Sequence, residues 1–213
     1  DIAGVDVVAQ DISQPLRPQG GAVVEVNAGP GLLMHIKPAA GTPRPVGRAI
    51  VDQPFRAEDN GRIPIIGVSG TQHTTAIAHM LAWLLQLAGH HVGLASRDGL
   101  YIDRRRFEVT DGTQWEAAER VLVNRSVEAA VFEHNAHGIL QDGLPYDRCR
   151  VGIVTDLEGA VELAAFDVSS RDQMLRVMRT QIDVVLPDGC AVLNAADAEV
   201  AAFVLRSVAR QGD

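Results

Sequence analysis

The residues best placed for chemistry lie in three short stretches. The first, GVSGTQHTTA (residues 67–76), follows a strand-like run, Ile63 to Ser69, and precedes a long stretch of helical periodicity. That is the setting of a phosphate-binding loop, whose pattern G-x-x-x-x-G-K-[ST] combines backbone N–H groups, a mobile lysine and a metal-ligating hydroxyl. Gly67, Gly70 and Thr71 supply the turn and Thr75 the hydroxyl, but Thr74 stands at the lysine position and His73 at the glycine before it. Without lysine the β- and γ-phosphates lose their cation, and His73 adds bulk where backbone must wrap closely round phosphate. On residue chemistry alone the stretch reads as a plain strand-to-helix turn, with Thr74 or Thr75 capping the helix.

The second stretch is EVNAGPG, residues 25–31. Side chains two apart on a strand face the same way, so Glu25 and Asn27 point two oxygen donors at one spot. That suits a hard cation such as Mg²⁺, although E-x-N alone is a weak motif. The third is FEHNAHG, residues 132–138, where Glu133 would reach the carboxyl edge of a sheet. Glu133, His134 and His137 form a conceivable zinc set, but ligands this crowded on a strand end seldom converge, and a solvated loop is the plainer reading. His90 and His91, at the end of the helical stretch, read as caps on its dipole.

These residues must be carried by a scaffold, and composition bounds its class. The chain has 213 residues, 46% hydrophobic and 22% charged, as expected of a water-soluble globular protein. A net charge of -8 argues against nucleic acid as a partner, since phosphate backbones call for a basic face. The compact basic run Arg104-Arg105-Arg106 falls in a hairpin pattern and reads as a solvated turn. No apolar stretch is long enough to cross a bilayer. Cys149 and Cys190 match no metal spacing and read as small buried hydrophobes, which fits a reducing, cytoplasmic setting. The chain opens on DIAGVDVVAQDIS, which reads as the middle of a domain and predicts a segment of a longer protein.

AVVEVN (22–27) is a strand between glycine turns, and residues 37–61, rich in Pro, Gly and charge, form a linker with a short element around Ala49–Phe55. From residue 62 strands and helices alternate. IPIIGVS (63–69), HVGLAS (91–96), AAVFEH (129–134), RVGIVT (150–155) and CAVLN (190–194) are apolar runs of the kind buried on both faces. Residues 76–88, 115–123, 171–182 and 197–211 carry helical spacing, and DGLYIDRRRFEV forms a hairpin. Alternation of this kind predicts an α/β fold with a parallel, helix-covered sheet.

In order along the chain, GVDVVAQDIS, GGAVVEVNAGPG, GRIPIIGVSGT, DGLYIDRRRFE, VEAAVFE, GLPYDRC, VGIVT and LPDGCAVLNAAD resemble the cyanophycin synthetase family. The resemblance covers nearly the whole chain and spans the junction between that family's ATP-grasp domain and its Mur-ligase-like domain. It implies that residues 1–55 are the C-terminal part of an ATP-grasp domain plus linker. Residues 62–213 would be a truncated central domain of the P-loop, Mur-ligase type. The family makes an Asp/Arg polymer with ATP and Mg²⁺: the ATP-grasp half extends the Asp backbone and the Mur-like half joins Arg to the Asp side chain. By this resemblance Glu25 and Asn27 match ATP-grasp metal ligands, and Thr75 and Glu133 match Mur-type ones. Partners would be an amino acid or the polymer, within a homo-oligomer.

The Mur-like half departs from the family where its chemistry resides. Against G-T-N-G-K-T-T, Gly70 and Thr71 match, Gln72 replaces Asn, His73 replaces Gly and Thr74 replaces Lys. HNAHG follows Glu133 where T-A-R-G-G is the family pattern, and Asp156-Leu157-Glu158-Gly159-Ala160 lacks the histidine of N-I-x-x-D-H-L-G. The resemblance therefore predicts a vestigial nucleotide loop (Gly67, Gly70, Thr71, Thr74 and Thr75) that is inactive in ATP hydrolysis. The chain is then part of a ligase whose catalysis lies in its other half, or a non-catalytic paralogue or scaffold that binds polymer or a partner synthetase.

Overall fold

A computed structural model describes residues 2–53, 55 and 59–201. The chain divides into two units, one ending at Arg62 and the other starting at Ile63. In the first, β1 (Gly4–Val8) pairs antiparallel with β2 (Ala22–Asn27), followed by two short helices, α1 (Leu33–Ile36) and α2 (Val46–Asp52). The pairing sets Asp6 opposite Glu25 and Gly4 opposite Asn27. The strand expected at 22–27 is present, and its partner β1 was not read from the sequence because GVDVV is too short to show alternation.

The second unit runs β3 (Ile65–Ser69), α3 (Thr74–Leu87), β4 (Val92–Ser96), β5 (Gly99–Ile102), β6 (Arg105–Glu108), α4 (Trp115–Leu122), β7 (Ala129–His134), α5 (Ala136–Gln141), β8 (Cys149–Val154), a 3-10 turn at Ala160–Phe166, α6 (Arg171–Asp183), β9 (Val185–Leu193) and α7 (Ala198–Ala201). Seven strands form one sheet in the order β6-β5-β4-β7-β3-β8-β9. β4, β7, β3, β8 and β9 are parallel, and the β5–β6 hairpin extends the sheet antiparallel at one edge. The α/β class expected from alternation is the observed one.

The inner parallel strands β4, β7, β3 and β8 are covered on both sides, which is why they read as continuous apolar runs. On one side Val68, Val92, Leu94, Val131 and Ile153 pack with Ala78 and Ala82 of α3. On the other, Ile65, Ala95, Ala130 and Phe132 pack with Ala117, Ala118 and Val121 of α4. Val154 joins Met174, Val177 and Met178 of α6. Helix α6 begins with a capping box, in which the Ser170 hydroxyl accepts from the Gln173 N–H and the Gln173 side chain accepts from the Ser170 N–H.

Four expectations need correction. Cys149 is buried, but Cys190 is exposed, because β9 is an edge strand. β9 also starts earlier than residue 190, at Val185, and passes through Pro187 where the β8 pairing shifts register. An edge position tolerates a missing N–H. The solvated loop expected after Glu133 is instead α5, capped by the Asn135 side chain accepting from the Gly138 N–H. His91 does not cap α3: its Nδ1 lies 3.0 Å from Asp103 Oδ2, and that hydrogen bond raises its pKa. The closing helix expected over 197–211 is described only as α7; the rest lies outside the described residues. Helix α3 is a core helix on one side only, since Trp83, Met80, Leu84 and Leu87 are about half exposed.

Candidate functional site

The site is built where three adjacent parallel strands end. β3 lies between β7 and β8, so the loop after Ser69 meets the ends of both neighbours. Register places Val68 beside Glu133 and Ser69 beside His134 and Val154. The carboxyl ends of a parallel sheet are where α/β folds gather ligand-binding groups.

Gly67 is not on the loop. It lies within β3, and a Cβ there would run into the Tyr146 hydroxyl and the Gln181 side chain. Tyr146 donates to Gln181 Oε1 at 2.9 Å, Ser69 Oγ donates to the same oxygen at 3.1 Å, and His134 Nε2 lies 3.0 Å from the Tyr146 hydroxyl. Gln181 Nε2 donates to Cys149 Sγ at 3.5 Å. Burial drives the His134 pKa down to about 3, raises Tyr146, and raises Cys149 to about 11. All three side chains are therefore neutral near pH 7, and the network is a polar core fastening α6 beneath β3.

Gly70 has φ 148°, and a Cβ would collide with Thr155 at the end of β8. His73 precedes α3 with φ 63°, the left-handed conformation that the glycine of a phosphate loop adopts, here held by a residue with a Cβ. Neither Thr74 nor Thr75 caps α3: the N-cap is His73, without a side-chain bond. Both hydroxyls turn to Glu133 instead. Thr74 Oγ1 donates to Glu133 Oε1 at 2.7 Å and Thr75 Oγ1 to the same oxygen at 2.9 Å. The Arg97 N–H donates to Oε2 at 2.7 Å, and Arg97 Nε lies 3.9 Å from Oε1. Glu133 is only 1% exposed, so these groups replace its water.

Glu133, His134 and His137 do not converge. His134 faces Tyr146, and exposed His137 packs edge-on against Phe166. Among the described residues no group of three or more His, Cys, Asp or Glu is arranged to hold a metal.

Asp156 was not singled out from the sequence. It accepts from the Thr71 N–H at 3.0 Å, the Gln72 N–H at 3.0 Å, Thr71 Oγ1 at 2.7 Å, Thr155 Oγ1 at 2.8 Å and the Glu158 N–H at 3.1 Å. Burial alone would raise its pKa; the hydrogen bonds, led by that from Gln72, outweigh burial and lower it. The signal in the sequence is a carboxylate two residues past an apolar strand, but it acquires meaning only once β8 is known to neighbour β3. Beside Asp156, a cleft of about 840 Å³ follows the ends of β8 and β9, with Gln72, His73, Glu158, Arg171 and Asn194 on its walls. Arg171 is held by Glu158, Asp197 and Glu199.

Farther along the strand ends, Asp98 accepts from Ser96 Oγ at 2.6 Å and the Tyr101 hydroxyl at 3.0 Å, with His79 Nε2 at 2.9 Å. Burial would raise its pKa, but these bonds lower it to about 2. Glu25 and Asn27 lie on one face of β2 in the other unit.

No family model matches the chain. Cyanophycin synthetase of Trichormus variabilis is 41% identical over 209 residues, covering 98% of this chain and 23% of that protein. Cyanophycin synthetase of Synechocystis sp. is 43% identical over 203 residues, covering 95% and 23%. Among solved structures, the apo form of FPGS from L. casei has 19% identity and a TM-score of 0.46, over 71% of this chain and 44% of that one. MurF ligase from Thermotoga maritima in complex with ADP has 14% identity and a TM-score of 0.45, over 68% and 31%. The chain spans 23% of the length of the curated relatives it matches, and over that length it is a homologue of a segment of the cyanophycin synthetases.

Proposed function

We propose that the chain is a segment of an ATP-dependent amide ligase of the cyanophycin synthetase kind, in which this α/β unit serves as a scaffold and does not hydrolyse ATP. The homology supports the first part. The observation that carries the second is the Thr74–Glu133 hydrogen bond. At the position of the phosphate lysine stands a buried hydroxyl spent on the carboxylate that would otherwise take a metal.

In this reading Glu133 and Thr75 have the oxygen chemistry of a Mg²⁺ site but do not fit the ion. Two hydroxyls and one N–H already occupy both carboxylate oxygens, and the Arg97 guanidinium supplies positive charge nearby. Residues 67–76 contain no Lys or Arg to balance a triphosphate. ATP and Mg²⁺ use, if the longer protein shares it, belongs to the part that carries Glu25 and Asn27 or to residues beyond this chain. An amino acid or an Asp/Arg polymer is the expected partner, in a cytoplasmic homo-oligomer. Among the described residues no helix is long and apolar enough to cross a membrane.

A phosphate-release assay with Mg-ATP and the 213-residue chain tests this. The expected rate is indistinguishable from buffer, and turnover that disappears in Glu133→Gln would refute the scaffold reading.

A further inference from the structure

We propose that Asp156 is a built-in anion that closes the phosphate-type loop, so that the backbone capable of holding an oxyanion is retained but occupied by the chain's own carboxylate. The proposal rests on the preceding reading of the unit as non-hydrolysing and adds the physical means by which phosphate is kept out.

Successive backbone N–H groups in a turn form a concavity that attracts negative charge. In this loop two of them, on Thr71 and Gln72, meet Asp156 Oδ2 at 3.0 Å each. Thr71 Oγ1 closes on Oδ1 at 2.7 Å, and the Thr155 hydroxyl and Glu158 N–H complete the shell. Five donors saturate two oxygens with about four lone-pair sites. Asp156 is 8% exposed, so a phosphate could reach these amides only by expelling it.

The carboxylate is delivered by the sheet rather than by a loose side chain. The Thr155 N–H donates to Ser69 O at 3.0 Å, continuing the β3–β8 ladder past its end, and Asn194 Nδ2 donates to Thr155 O at 2.9 Å. Gly70 permits the approach, since any Cβ there would strike Thr155. A tethered anion enjoys a high effective concentration at its own site, so dilute phosphate competes poorly. A second anion would also meet the charge of Asp156 itself, in a loop with no lysine.

The plainer alternative makes Asp156 a turn residue that caps Glu158. Asp156→Asn separates the two: Oδ1 can still accept from the Glu158 N–H, but an NH₂ group replaces the oxygen that faces Thr71 and Gln72, and the charge is gone. Asp156→Ser leaves the amides open with a smaller side chain. The chain and both variants are titrated with inorganic pyrophosphate, without metal, by calorimetry and by the ¹⁵N shifts of Thr71 and Gln72. The expected result is no saturable binding by the unaltered chain and an affinity at least about tenfold higher in either folded variant, with both amides shifting. A folded variant with unchanged affinity overturns the proposal, as does pyrophosphate binding by the unaltered chain. Should neither variant fold, amide exchange in the unaltered chain decides: Thr71 and Gln72 are expected to be protected, and rapid exchange at both sinks the idea. ATP turnover by the unaltered chain would instead defeat the scaffold reading, whereas inactive protein with no gain in the variants defeats only this one.

Discussion

The hydroxyl of Thr74 donates a 2.7 Å hydrogen bond to Glu133, a carboxylate that is 1% exposed at the end of the neighbouring strand. The bond ties the first turn of α3 to β7 and fixes the loop between β3 and α3. Thr74→Val keeps the shape and deletes the donor, leaving Glu133 short of one charge-assisted bond. We expect a loss of about 1.5–3 kcal/mol in urea denaturation. Thr75→Val, at a less buried position, should cost less.

His73 occupies a left-handed conformation that favours glycine. His73→Gly should therefore stabilise the fold by about 1 kcal/mol, against the usual trend for glycine substitutions. Thermal denaturation reads the sign directly, and a destabilised variant would mean that the imidazole makes a compensating contact.

Gly67→Ala places a methyl group against the Tyr146 hydroxyl and Gln181. The expected cost is about 1–3 kcal/mol, as for other overpacked cores. Tyr146→Phe removes one clashing oxygen, so the double variant should be more stable than the sum of the single losses predicts. Strict additivity in a double-mutant cycle would show that the clash is relieved elsewhere.

Asp98 and Asp156 both have lowered pKa values in the fold, Asp98 to about 2. Each stabilises the fold fully above its unfolded value near 3.8 and loses that contribution as pH falls toward the folded value. Stability should therefore decline between about pH 4 and pH 2, and Asp98→Asn should flatten that slope. His91 runs the other way. Its pKa is raised by Asp103, so its contribution is full below the ordinary histidine value near 6.5 and fades as pH climbs through the raised value. A ¹H NMR titration that finds His91 at or below that value would contradict the pairing.

Cys190 is exposed and Cys149 is buried with a pKa near 11. A native-state thiol titration should label Cys190 quickly and Cys149 only on unfolding. Equal rates would contradict the strand placement.

The sheet was legible because strands buried on both faces leave continuous apolar runs, as in AAVFEH and CRVGIV. The loop's substitutions at His73 and Thr74 were legible too, since a motif position either holds lysine or does not. What was not legible depends on neighbours in space. That Thr74 turns away from capping follows from Glu133 lying one strand over, and the part played by Asp156 follows from β8 adjoining β3. Strand order leaves no mark in local composition. Cys190 was misread for the same reason: an apolar run does not say whether its strand is central or at the edge.

Calorimetric titration of the 213-residue chain with Mg-ATP shows whether the nucleotide site is closed. A closed site gives no saturable heat through the millimolar range. Binding at micromolar concentrations, weakened by Thr75→Val or Glu133→Gln, would contradict it.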